Sequence, residues 1–235
     1  ANPHNQLFVL CNPHNPIGQI WKEKDLVRLA ELANRYGVIV YSDEIFADNC
    51  YNGLTCPCYL DIKGAKSHAI VATGLGKSFG FTGVNHANII IADDELRARF
   101  TDRRTRDHYG SLDPCVYECV LSAYTKDGKA WVDASNAYVW ENMCVLRDYF
   151  AKHLPKARVC GGEGAYILWI NWSAYFSSGD ELNEFLVKKA HVCLGEGNDY
   201  DSPLFTRVCM ATPRKCLIKT LESIGEAFSK LGKEK

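Results

Sequence analysis

Neither sign of charge dominates this sequence: 27 lysines and arginines stand against 28 aspartates and glutamates in 235 residues. With no basic excess to neutralise phosphates, nucleic acid and anionic membrane are not expected as partners. Long hydrophobic runs are lacking too, and none approaches the ~20 residues that span a bilayer. The opening Ala1-Asn2-Pro3-His4-Asn5 has neither the charged nor the apolar stretch of a secretory signal, so a soluble protein is expected. Internal repeats and low-complexity segments are absent from the sequence.

Cysteine, by contrast, is abundant, with 11 residues. A chain of this length can bury a sizeable core and does not need a disulfide framework. The count is odd, and the cysteines sit in apolar segments such as Phe8-Val9-Leu10-Cys11 and Arg207-Val208-Cys209-Met210. Cys56-Pro57-Cys58 and Cys115-x-x-x-Cys119 lack the paired spacing of a zinc site, so no metal is expected. Reduced thiols acting as small buried hydrophobes fit best, which points to a reducing, cytoplasmic location.

The first half alternates short apolar strands with an amphipathic helix. Strands are expected at Leu7–Leu10, Val38–Tyr41, His68–Ala72 and Asn88–Ala92, with a helix from Lys24 to its stop at Gly37. Strands that are apolar throughout suggest a mostly parallel sheet covered on both faces. Helices are expected in the second half at Leu112–Tyr124, Trp131–Leu154, Asp180–Ala190 and Pro213–Leu231. Strands are expected there around Val159, at Ala165–Ile170 and at Phe205–Met210. This is an α/β domain over residues 1–133 followed by a small α+β domain over 134–235, with the boundary inside the long helix.

Ligands of such sheets bind beyond the carboxyl ends of the strands. Asn15 follows the first strand, Asp43 the second, and Lys77 comes shortly after the third. Taken singly, Asn15 could shape a turn between prolines, Asp43 could cap a helix, and Lys77 could be a solvated loop lysine. Together, an amine and a carboxylate leaving one sheet edge can converge on a common ligand.

Four strings carry a family resemblance: Cys11-Asn12-Pro13-His14-Asn15-Pro16-Ile17-Gly18, Ser42-Asp43-Glu44-Ile45, Gly76-Lys77-Ser78-Phe79 and Phe205-Thr206-Arg207-Val208. In this order the chain resembles the fold-type I, class I/II aminotransferases, and within them the MalY/PatB-like cystathionine β-lyase branch. The stretch Gly83–Ile91 and Gly164-Ala165-Tyr166-Ile167-Leu168-Trp169 support that branch. The resemblance implies the C-terminal part of a pyridoxal-phosphate (PLP) transferase large domain followed by the small domain. Lys77 would hold pyridoxal 5′-phosphate as a Schiff base and shuttle protons. Asp43 would pair with the protonated ring nitrogen, Asn15 would donate to the ring 3′-oxygen, and Arg207 would clamp the substrate carboxylate.

Family members often carry serine just before the lysine or three residues before it. Gly76 and Gly74 stand there, so phosphate binding would lean on Thr73 or on backbone N–H groups. Gly80 replaces a usual asparagine, and Phe46 stands where the family has histidine or tyrosine. Relatives begin well before the point matching Ala1, which implies a fragment, a truncated product or half of a split protein, with an exposed sheet edge unless another chain covers it. The implied activity is a carbon–sulfur β-lyase on a small amino-acid substrate. A PLP-dependent aminotransferase and a non-catalytic binding or dimerisation module are the alternatives. A homodimer, or pairing with the missing N-terminal part, is implied as well.

Overall fold

The computed structural model describes residues 4–110 and 113–231. The chain divides into two compact units, Ala1–His14 with Ile20–Ala134 and Asn15–Gln19 with Ser135–Lys235.

In the first unit, β1 (Leu7–Cys11), β2 (Ile39–Asp43) and β3 (Ala69–Thr73) run parallel in that order, and β4 (Asn88–Ile90) adds antiparallel to β3. The helix α1 (Glu23–Tyr36) links β1 to β2 and buries Leu26, Ala30 and Ala33, a stripe at helical spacing. That stripe packs with Leu10, Val40, Ala69 and Val71 from the sheet and with Tyr59, Ile62 and Ala65 from the loop before β3. Gly37 ends α1 at φ 64°, a left-handed conformation in which a side chain would be strained.

The expectation that every strand is covered on both faces fails at β1. Leu7, Phe8 and Val9 are 55%, 40% and 62% exposed, because β1 is an edge strand in this sheet. A further element, α3 (Asp94–Arg106), carries no apolar periodicity to announce it, and only Leu96 is buried. Asp93 caps it by accepting from Leu96 N at 2.8 Å, and the i,i+4 pair Arg103–Asp107 lies along it at 2.7 Å. The short α2 (Leu75–Ser78) follows β3, and α4 (Pro114–Ala123) follows α3. Leu112, the expected start of α4, lies outside the described residues.

The division between units falls inside α5 (Lys126–His153), which begins five residues before the expected Trp131. In the second unit, β5 (Arg158–Gly161), β6 (Ile167–Asn171), β7 (Gly195–Glu196) and β8 (Phe205–Cys209) form an antiparallel sheet in the order β5-β6-β8-β7. Against it pack α5, α6 (Gly179–Lys188) and α7 (Arg214–Leu231). The fully buried Trp172 stacks on Phe228 at 5.3 Å and donates Nε1–H to Thr206 Oγ1 at 2.9 Å. The strand β6 starts at Ile167 rather than at the expected Ala165, since Ala165 sits at φ +59° and breaks the extended run.

None of the 11 cysteines forms a disulfide, and none is fully buried, which corrects the expectation of buried thiols. The alternation of β8 turns Thr206 and Val208 inward and leaves Cys209 exposed; Cys216 is exposed beside the buried Leu217 of α7. Among the described residues no group of histidine, cysteine or acidic side chains is placed to hold a metal ion. No helix among them is long and apolar enough to cross a membrane.

Candidate functional site

Parallel pairing aligns strand ends. Cys11 pairs with Asp43, and Asp43 with Ala72, so β1, β2 and β3 release their following residues at one edge of the first unit's sheet. The loops there are knitted by buried polar groups. Asn12 donates N–H to Asp43 O at 3.0 Å, accepts from Trp21 N at 3.0 Å, and donates Nδ2 to Pro57 O at 3.3 Å. Glu44, only 3% exposed, accepts on one oxygen from Ser42 Oγ at 2.9 Å and from Tyr59 N at 2.8 Å. A buried carboxylate satisfied in this way ties the loop after β2 to the turn at Tyr59. Glu44 therefore has a structural place beside the candidate Asp43.

Asp43 accepts on Oδ1 from Ile45 N at 3.1 Å, which orients the carboxylate as it leaves the strand. A carboxylate has lone pairs for further donors. Lys77 lies in α2, four residues past the end of β3, and α2 is anchored by Ser78 Oγ donating to Asp48 Oδ2 at 2.7 Å. The Lys77 Nζ stands 5.9 Å from the centroid of the Phe46 ring, and among the described residues no carboxylate forms an ion pair with it. Phe46 thus takes a definite place, as an apolar face beside the amine. Thr73 Oγ1 accepts from Asn88 Nδ2 at 3.2 Å.

The two glycines before the lysine differ. A Cβ at Gly74 would stand 3.0 Å from His86 O, whereas one at Gly76 would stand 3.6 Å from Phe81 O, an ordinary contact. Close backbone approach accounts for the first glycine. The space around the second admits a side chain.

Asn15 and Arg207, 192 positions apart in sequence, meet in the second unit: Arg207 Nη1 donates to Asn15 Oδ1 at 3.3 Å. Arg207 lies on β8 opposite Gly195 of β7. The segment Asn15–Gln19 is held there because Gly18 O accepts from Glu163 N at 2.9 Å, and a Cβ at Gly18 would stand 2.7 Å from Ile167 O. Nothing in the sequence marks this attachment. Arg207 Nη1 also donates to Tyr200 Oη, and the guanidinium carbon lies 5.4 Å from the Tyr200 ring centroid. Tyr200 has no motif around it to announce it. Arg207 and Gly195 also line a cavity of about 410 Å³ with Cys193, Cys209 and Cys216.

The four candidates therefore fall into two groups, Asp43 and Lys77 at one sheet edge in the first unit and the hydrogen-bonded Asn15 and Arg207 in the second. The first pair offers a base or nucleophile and an anion at one sheet edge. The second offers a guanidinium whose place is set by an amide.

The sequence model of the family described as "Aminotransferase class I and II" matches residues 1–224. Among curated proteins, the chain is 32% identical over 201 residues to cystathionine beta-lyase PatB of Bacillus subtilis, covering 85% of this chain and 52% of that protein. It is 26% identical to protein MalY of Escherichia coli, covering 97% of this chain and 58% of the relative. Among solved structures, cystalysin from Treponema denticola, which contains a pyridoxal 5′-phosphate cofactor, superposes with a TM-score of 0.91 at 26% identity. That match covers 98% of this chain and 59% of cystalysin. The PLP-bound C–S lyase of Staphylococcus hominis, in complex with L-cycloserine, gives a TM-score of 0.85 at 28% identity, covering 94% of this chain and 55% of that one. The chain thus spans between half and three-fifths of the length of these relatives.

Proposed function

This chain belongs to the class I and II aminotransferase family, and from that premise we propose that it carries the lysine, carboxylate and arginine of a PLP-dependent carbon–sulfur β-lyase. Its substrates would be cystathionine- or cysteine-like amino acids. The observation that carries the reading is the shared edge of Asp43 and Lys77, with the amine free of any ion pair among the described residues. That donor set suits pyridoxal phosphate, whose aldehyde needs an amine and whose protonated ring nitrogen needs an anion. Relatives that are C–S lyases favour elimination over amino transfer.

When bound, the cofactor supplies an electron sink for the charge left at the substrate Cα. The chain's own residues do the rest. Asp43 would hold the proton on the ring nitrogen through its carboxylate. Lys77 would hold the cofactor through Nζ and would serve as the base for the substrate Cα proton, with the thiol as the leaving group on Cβ. Asn15 spends its Oδ1 on Arg207, which leaves Nδ2 to donate to the ring 3′-oxygen. Arg207 offers its remaining N–H groups to the α-carboxylate. In place of the family serines, the phosphate would lean on Thr73, on backbone N–H groups, or on residues elsewhere in the fold.

Two further parts of the reading concern surroundings. A second copy, or the portion of the fold that this chain does not span, would cover the open β1 edge; the exposure of Leu7, Phe8 and Val9 supports this. A cytoplasmic setting is supported by 11 cysteines with no disulfide among them.

The test is spectroscopic and then chemical. Adding pyridoxal phosphate to the purified chain should produce the visible absorbance of a lysine-bound cofactor, and Lys77→Ala should abolish it. With cystathionine, pyruvate and thiol should appear without a keto-acid acceptor. A strict need for an acceptor would make the chain an aminotransferase, and no cofactor band at all would leave a non-catalytic module.

A further inference from the structure

We propose that Tyr200 is a positioning residue for Arg207, fixing the guanidinium so that its Nε/Nη2 edge is the one offered to a carboxylate. The inference rests on the reading of Arg207 as the carboxylate clamp and adds the residue and the edge.

Three observations converge on it. Tyr200 Oη and Asn15 Oδ1 both accept from the same nitrogen, Nη1, and among the described residues no bond is made to Nε or Nη2. A guanidinium has five N–H donors in a plane, and the parallel pair on Nε and Nη2 matches the two oxygens of a carboxylate. Filling Nη1 with two neutral acceptors therefore leaves the side-on fork available and costs the charge nothing.

The second observation is that the Tyr200 ring also lies beneath the guanidinium, 5.4 Å from Cζ to its centroid, so that rotation about the side-chain torsions is opposed from two directions. Arginine is rich in rotamer entropy, and a clamp that is already ordered does not lose it again when the carboxylate arrives.

Thirdly, Tyr200 is itself firmly placed. It closes the 3₁₀ turn Gly197–Tyr200 between β7 and β8, and Asp201 ends that turn at φ 51°. A Cβ at Gly197 would stand 2.0 Å from Ser202 O and 2.4 Å from Phe205 O, so the connection is drawn as tight as the backbone allows. Its ring meets Trp169 edge to face at 5.6 Å, and Trp169 in turn stacks on Phe205 at 5.2 Å. The hydroxyl is thereby aimed by packing.

The experiment compares the intact chain with Tyr200→Phe, Tyr200→Leu and Arg207→Ala. In a chain labelled with ¹⁵N-arginine, the Arg207 Nη groups should show hindered rotation, and Tyr200→Phe should speed it while shifting the melting temperature only slightly, since the ring packing on Trp169 survives. Loss of one hydrogen bond of about 0.5–1.5 kcal/mol corresponds to a roughly 2- to 10-fold rise in Kd. That rise is expected for L-serine binding to Tyr200→Phe, with L-serinamide, which lacks the carboxylate, unaffected; Tyr200→Leu should do more. Unaltered Nη rotation in Tyr200→Phe overturns the proposal while leaving Arg207 as the clamp. If Arg207→Ala binds L-serine as the intact chain does, or the intact chain does not distinguish L-serine from its amide, the clamp reading itself fails, and this inference with it.

Discussion

Gly74 and Gly76 occupy the positions where relatives of this kind often place a phosphate-binding serine, yet they answer to different constraints. At Gly76 an added Cβ meets Phe81 O at an ordinary 3.6 Å, and the residue lies in α2, where serine is the better helix former. Gly76→Ser is expected to tighten pyridoxal phosphate binding about tenfold, the worth of one hydrogen bond to an anion, read from titration of the cofactor absorbance. Gly74→Ser should behave oppositely. Its Cβ would press on His86 O at 3.0 Å, and overpacking of this kind costs about 1–3 kcal/mol, visible as a lower urea midpoint. The candidate residues Asn15, Asp43, Lys77 and Arg207 were legible because each sits in a string of distinctive neighbours. Tyr200 was not: a tyrosine in Asn198-Asp199-Tyr200-Asp201 looks like any loop tyrosine until the fold brings it to Arg207.

At the scale of elements, a network around His68 joins α1, the turn at Tyr59 and the start of β3. Asn34 Nδ2 donates to Ala30 O at 3.0 Å and to Gly64 O at 2.8 Å, so its Oδ1 is the acceptor facing Ser67 Oγ and His68 Nδ1. His68 must then carry its proton on Nδ1 and accept at Nε2 from Tyr59 Oη, 3.0 Å away. Burial pushes the Tyr59 hydroxyl up to about 12, in keeping with its role as donor. Burial also lowers His68 and His14 below their ordinary value of 6.5. With folded values below the unfolded one, the unfolded chain binds the extra proton. Stability is therefore full above about pH 7.5 and falls as the pH drops through 6.5. Urea midpoints at about pH 8 and pH 5.5 should separate in the intact chain, and His68→Gln should narrow that gap; an equal gap in the variant would refute the assignment. Elements with apolar periodicity, such as α1 and α7, were readable in advance. The helix α3 was not, because its stability comes from a cap and surface charge pairs, and one buried leucine leaves no stripe to see.

For the molecule as a whole, the open side of β1 is the feature with the largest consequence. Three consecutive apolar residues, Leu7, Phe8 and Val9, are exposed on an edge strand, a template for pairing with another chain. Natural edges are blunted by lysine, and Val9, at 62% exposed, has room for one. Val9→Lys is expected to suppress self-association of the isolated chain in light scattering while shifting its stability by less than about 0.5 kcal/mol. Association undiminished by the lysine would mean that another surface drives it. A strand that is buried on both faces within a complete sheet reads as apolar throughout, and β1 has that composition without the cover. Composition reports what a strand was selected to pack against, and the exposure of Leu7, Phe8 and Val9 agrees with the open edge that the resemblance implies.

Local features were legible from the chain alone: most of the strands and helices, with α3 and β7 the exceptions, the turn at Gly37, and the strings that carry an amine, a carboxylate, an amide and a guanidinium. These depend on residues near one another in the chain, where periodicity and steric preference act. The tertiary structure alone decided which of them meet. It placed Asp43 and Lys77 on one edge through the parallel register of β2 and β3. It carried Asn15 into the second unit, to Arg207, through the close packing of Gly18 on the backbone of Ile167. It also supplied Tyr200, which no motif announces, by drawing the β7–β8 connection tight at Gly197. Such long-range contacts follow from packing and hydrogen-bond satisfaction over the whole chain, and no local pattern encodes them.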